Sequence, residues 1–160
     1  MYRRFLILLA AVMFAASCES EVREANINQE KAIDDYVKQN YADAPVEYVE
    51  GITRVLLQDV SNASSPAAAK NDSLYIYYAG YTFENGAPSS CFVQDSAWVR
   101  LGRSGLVKGL ERGLDGVKQY QEVLLLFSSQ YGYGTDAVGL VPANTALAFD
   151  VAVARVIKNN

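Results

Sequence analysis

Near the end of the chain Leu147, Phe149, Val151 and Val153 alternate with Ala148, Asp150 and Ala152. A period of two over seven residues fits a strand with one buried face and does not fit a helix. Other segments agree with a sheet. Glu122–Phe127 is an apolar run suited to a buried strand, and Leu74–Phe83, dominated by Tyr and Ile, is strongly β-prone. Glu84-Asn85-Gly86-Ala87-Pro88 breaks that run, and Val99–Leu101 predicts a further short strand. Val46–Val60 predicts one or two strands around Gly51, carrying Tyr48, Val49, Ile52, Val55 and Leu57. Between the strands, apolar residues at 106, 107, 110, 114 and 117 predict one short helix over Leu106–Val117. Gly109 and Gly113 on it permit close packing at the expense of helix propensity. One short helix among five or six strands is an α+β fold, an antiparallel half-barrel sheet wrapped around a helix. The 11 Tyr suit such a fold, since each packs a ring while keeping one end wet.

The N-terminus follows a different logic. Arg3 and Arg4 precede twelve consecutive apolar residues, Phe5–Ala16. A bilayer core of about 30 Å needs roughly 20 residues of helix, so this run predicts a secretory signal, residues 1–17. Phe14-Ala15-Ala16-Ser17-Cys18 resembles a bacterial lipobox, although Ala15 stands where Leu is usual. The expectation is lipidation at Cys18, membrane contact through that lipid, and a place in the cell envelope on a bacterial membrane, the outer one. Cys91 is then left without a disulfide partner. Removal of residues 1–17 leaves 12 basic and 18 acidic side chains, a net charge of −6. An acidic chain without a basic cluster is not built for nucleic acid. Residues 18–29 are expected to form a lipidated N-terminus and polar tether. Residues 30–71 are expected to form an extension of helix, strand and linker, with Ala32, Ile33, Tyr36 and Val37 on one helical stripe ended by Asn40, Ala44 and Pro45. The main domain is expected at 72–160.

Absences narrow the chemistry. The chain contains no His, which removes Ser-His-Asp and Cys-His catalysis and any His-ligated metal. Two distant cysteines do not make a zinc site, and no metal or cofactor is expected. Tyr131-Gly132-Tyr133-Gly134 follows a strand and precedes no helix, so it fails the context of a nucleotide cradle. Asp34 and Asp35 are adjacent on a helix and diverge, and Glu111 and Asp115 lie on a face that is ordinarily solvated.

Aromatic and aliphatic residues beside turn signals carry a resemblance. Tyr77-Tyr78-Ala79-Gly80 is similar to a strand motif ending in Tyr-Thr-Gly. Leu101-Gly102 followed by Leu106-Val107-Lys108-Gly109-Leu110-Glu111-Arg112-Gly113-Leu114 is similar to Leu-Gly and then Val-Ile-x-Gly-Trp-x-x-Gly. Tyr131-Gly132-Tyr133-Gly134 is similar to Tyr-Ala-Tyr-Gly, and Leu140–Val151 to Ile-Pro-x-x-x-x-Leu-x-Phe-x-Val. Four motifs in one order over about 80 residues resemble the FKBP-type peptidyl-prolyl cis–trans isomerases, including lipoproteins in which a helix precedes the domain.

This resemblance implies a shallow apolar pocket on the concave face of the sheet that holds a proline ring. Tyr78, Phe92, Val107, Leu110, Tyr133 and Phe149 fall on its catalytic positions, Val99 and Leu106 on further walls, and Leu140 and Val141 on a flap beside it. Taken singly, Val99, Leu106 and Phe149 read equally as core. The partners implied are proline-containing segments or unfolded envelope proteins. Departures from the family pattern are several. Phe92 is followed by Val93 where an aspartate is usual, with Gln94 or Asp95 as stand-ins; Leu110 replaces the Trp of the floor; Ala97 and Val99 replace two aromatics. The expectation is therefore a modest isomerase, and the rival is a non-catalytic module that holds Pro-containing or unfolded segments in the same cleft.

Overall fold

In the computed structural model of the protein, the backbone is described for residues 2–159 and the side chains for residues 19–159. The side chains of the expected signal segment, and that of Cys18, lie outside the described residues. Helix α1 (Tyr2–Asn40) is followed by strands β1 (Val46–Val49), β2 (Ile52–Asp59), β3 (Ser73–Glu84) and β4 (Ala87–Arg100). Helix α2 (Lys108–Leu114), β5 (Gln121–Phe127), a 3₁₀ turn at Ser129–Tyr131 and β6 (Ala146–Ile157) complete the chain. All strands join one antiparallel sheet in the order β1-β2-β5-β6-β3-β4. The α+β class, the sheet with one short helix and the preceding N-terminal helix are as the sequence predicts. Because β1 and β2 come from residues 46–59 and β2 pairs with β5, the extension at 30–71 is continuous with the sheet.

β5 shows why its sequence is apolar at consecutive positions. Val123, Leu125 and Phe127 join the core beneath α2, while Leu124 and Leu126 join a second cluster under α1 with Ile33, Val37, Val55 and Phe83. A strand covered on both faces loses the alternation of a half-buried one. α2 lies against β5 at backbone distance. A Cβ on Gly109 would overlap the Phe127 ring, and one on Gly113 would sit 2.7 Å from Leu125 Cδ1. The glycines weaken a short helix so that it can pack this closely.

Three expectations need correction. The stretch read as a tether is helical, and its Asn26 and Gln29 bond to residues 129 and 130; polar side chains with partners on the domain need no solvated linker. The expected short strand at Val99–Leu101 is the end of the 14-residue β4. Only Asn85 and Gly86, both at positive φ, form the turn from β3, as a two-residue hairpin requires. β4 pairs on one side alone, so Pro88 and the polar Gln94–Ser96 are tolerated at an edge. Finally, α2 is shorter than Leu106–Val117. Val107 is extended at φ −58, ψ 145, and Asp115 is extended at the other end.

Candidate functional site

A cleft of about 400 Å3 opens between the inner face of the sheet, the segment entering α2 and the loop that follows the 3₁₀ turn. β3 and β6 supply Ile76, Tyr78 and Phe149, and β4 supplies Phe92, Val93 and Val99. The remaining lining is Gly105, Leu106, Val107 and Leu110 at α2, and Tyr133, Val138, Gly139 and Leu140 from the loop. No lining side chain is charged, and the only polar atoms on them are two phenol oxygens. This is a place for an apolar ring with a few fixed hydrogen bonds.

Nine of the ten residues expected at the pocket line this cleft: Tyr78, Phe92, Val99, Leu106, Val107, Leu110, Tyr133, Leu140 and Phe149. Val141 does not. Val138 and Val141 exchange backbone hydrogen bonds of 2.9 Å across a tight turn, which carries Leu140 out to 77% exposure and turns Val141 into the core at 2%. Val138, which the sequence did not single out, takes the flap position. Leu110, Val99 and Phe149 form the deep part and are almost fully buried, so core and pocket are one set of residues here.

Local backbone features make the walls. Gly80 pairs with Val93 and Tyr81 with Cys91, so Phe92 is an extra residue in β4. Such a bulge lets neighbouring residues share a face, and Phe92 and Val93 both reach the cleft. The Phe92 ring meets Phe149 edge-on at 5.6 Å, and Phe149 stacks on Phe127 at 5.9 Å. Gly80 is what permits this, because a Cβ there would lie 2.6–2.8 Å from Phe149, Val93 and Phe92. Outside the cleft, at the 3₁₀ turn, Tyr131 packs over Gly51, which leaves no room for a Cβ. The Arg112 guanidinium stands 5.1 Å from the Tyr131 ring centroid and donates to the Glu50 carbonyl at 3.0 Å. With Tyr131 fixed in this way, Tyr133 of the same motif is the one that faces the cleft.

The two phenols differ in surroundings. Burial, then the Asp95 carboxylate and Tyr133 beside it, push the Tyr78 phenol above its ordinary value, so it remains a hydrogen-bond donor at neutral pH. Neither expected stand-in for the pocket aspartate enters the cleft. Gln94 and Asp95 border a separate hollow with Tyr77, Glu122 and Asp150, and Val93 occupies the place. Among the described residues no group of three or more Cys, Asp or Glu side chains could hold a metal ion.

Comparison with known proteins bears on this geometry. The family model for the FKBP-type peptidyl-prolyl cis-trans isomerases matches residues 65–154. FK506-binding protein 15 of Mus musculus is 31% identical over 115 residues, 68% of this chain but only 10% of that protein. The FK506-binding protein of Neisseria meningitidis serogroup B is 28% identical over 105 residues, 64% of this chain and 95% of its relative. Among solved structures, a peptidyl-prolyl cis-trans isomerase of Pseudomonas syringae pv. tomato superposes with a TM-score of 0.62 at 20% identity. That superposition covers 83% of this chain and 96% of the other, and speaks for the fold.

Proposed function

The chain belongs to the FKBP-type peptidyl-prolyl cis–trans isomerase family, and from that premise we propose that its cleft binds proline-containing segments and speeds rotation about the X–Pro bond. The observation that carries this reading is an uncharged cleft lined by nine residues at the family's pocket positions, with two phenols as its only polar side-chain groups. Rotation is opposed by amide resonance, with a barrier of about 18–20 kcal/mol. It needs neither proton transfer nor a nucleophile, which suits a chain without His.

In this reading the proline ring enters between Phe92, Phe149 and Leu110. The planar amide is charge-separated and well hydrated, whereas the twisted amide is less so. Transfer to an apolar cleft therefore raises the ground state more than the transition state. The backbone N–H of Val107 would hold the peptide carbonyl, and the Tyr133 hydroxyl would fix the peptide on the far wall, favouring the twisted geometry. Val93 in place of an acid and Leu110 in place of an indole make the activity modest. Those same two residues favour a second reading, a holder of proline-containing or unfolded segments without turnover.

Exchange NMR on a proline peptide separates the two. Catalysed cis–trans exchange supports the isomerase, binding without faster exchange supports the holder, and no binding rejects both. The same reading includes a lipid anchor at Cys18 that keeps the protein on a bacterial outer membrane, where its clients would be envelope proteins. The run Phe5–Ala16 and the lipobox-like residues ending at Cys18 support it.

A further inference from the structure

Residues 128–145 join β5 to β6 and supply Tyr133, Val138, Gly139 and Leu140, one whole wall of the cleft. Both ends of this segment are gripped by α1, which lies outside the 65–154 matched to the family. At the first end, Asn26 Oδ1 accepts from Ser129 Oγ at 2.9 Å and from the Gln130 N–H at 3.2 Å. Gln29 Oε1 accepts from the Ser129 N–H at 2.8 Å. At the other end, Gln29 Nε2 donates to the Asn144 carbonyl at 2.6 Å. Asn144 is tied back in turn, its N–H donating to the Gly134 carbonyl at 2.8 Å, while the Gly134 N–H donates to the Ser129 carbonyl at the same distance. Asn26 is 7% exposed and Ser129 1%, so the bond between their side chains is shielded from water while the Gln29–Asn144 bond lies at the surface. A buried group left without its partner is destabilised more than an exposed one.

We propose that α1 is part of the cleft's working apparatus, with Asn26 and Gln29 as positioning residues that set where the Tyr133 wall stands relative to Phe92 and Leu110. Neither side chain touches the cleft. Each acts through Ser129 and Asn144, and one glutamine side chain spans both ends of the segment. Loosening either end lets the wall drift, so bound peptide loses the contact with Tyr133 while the floor beneath the proline ring is unchanged. This inference rests on the proposed proline-binding role of the cleft.

The test compares four single variants of the whole chain with the wild type, with a proline peptide as probe and the ring resonances of Tyr133 as a direct report on the wall. Asn26→Leu and Gln29→Leu keep the helix but remove the acceptors. Each should weaken peptide affinity about three- to ten-fold, the worth of one net hydrogen bond, and should shift the Tyr133 resonances of the free protein. Turnover of bound peptide should fall as well, because the Tyr133 contact favours the twisted geometry. Asn26→Asp keeps the acceptor and should recover the affinity. Val156→Ala destabilises the core at a distance and should leave affinity unchanged. The proposal is overturned if a folded Asn26→Leu protein keeps wild-type affinity and Tyr133 resonances, or if Val156→Ala weakens binding equally. If the wild type binds without turnover, the isomerase reading fails and affinity still decides the proposal. If it binds no proline peptide, the cleft reading fails and the Tyr133 resonances decide it.

Discussion

Gly80→Ala tests stability and function through a single methyl group. The new Cβ would sit 2.6 Å from Phe149 Cε1, 2.7 Å from Val93 Cγ1 and 2.8 Å from Phe92 Cζ. Carbon atoms prefer about 3.5–4.0 Å, so roughly 1 Å must be found at each contact. Phe149 cannot yield easily, being 2% exposed and stacked on Phe127. Phe92 and Val93 are half-buried and border the cleft, so the strain moves them into the space meant for a ligand. Overpacking of this kind costs about 1–3 kcal/mol, and the entropy removed from the unfolded chain returns about 0.4–1 kcal/mol. The net loss is about 1–2 kcal/mol, or a melting temperature lowered by roughly 2–8 °C for a chain of this size. Denaturant unfolding and titration with a proline peptide should show stability and affinity falling together. Adding Val93→Ala should restore part of the stability, because it removes one of the three clashes. A Gly80→Ala protein as stable as wild type with unchanged peptide affinity would refute the packing argument and the position of the cleft.

Tyr133→Phe should weaken peptide binding by about 0.5–1.5 kcal/mol with little change in stability; titration and thermal unfolding check both, and unchanged affinity would put the hydroxyl outside the site. Leu110→Trp should bind a proline peptide several-fold more tightly, since a few tens of Å2 of added apolar contact at about 25 cal/mol per Å2 give on the order of 1 kcal/mol; a folded variant with no gain would contradict this. Burial, and then the Glu122 carboxylate beside it, hold the Asp150 carboxyl above its usual 3.8. The stability this group contributes is complete below that value and is lost as pH rises through the raised one. Asp150→Asn should therefore flatten the decline across that window, read from denaturant midpoints at several pH values. Cys18→Ser should move the protein from the membrane to the soluble fraction and abolish fatty-acid labelling.

What could be read beforehand depended on how each residue is used. β6 and β5 are strands whose side chains settle their own fate, one by alternation and the other by an unbroken apolar run. The cleft positions were legible because the short motifs that carry Tyr78, Tyr133 and Phe149 resemble those of the family, and the resemblance implies their place. Most of β4 was not legible, since an edge strand takes its structure from the pairing of its backbone with β3 rather than from its own polar side chains. Nor was the bulge at Phe92, a property of register between two strands that neither sequence carries alone. Val141 went the other way from its neighbour because a tight turn between Val138 and Val141, not hydropathy, decides which of two adjacent apolar residues faces in. Asn26 and Gln29 carried no signal at all: their partners lie about 100 residues away, and a polar residue on a helix is ordinarily a solvated one.

The coverage of β5 on both faces ties the fate of the domain to the integrity of its leading helix. Its amides, flanked by β2 and β6 and shielded above and below, should be the slowest in the molecule to exchange hydrogen with solvent, since opening them requires the whole sheet to separate. The short connection after α1, residues 41–45, is largely exposed. A cut there leaves the helix held only by its packing and hydrogen bonds, and its loss would bare Val55, Phe83, Leu124, Leu126 and Ala148 as one contiguous apolar surface. A surface of that kind is adhesive. Clipping would therefore yield not a smaller working domain but a species prone to associate with itself, and resistance to proteolysis at that connection becomes a condition of the protein's solubility.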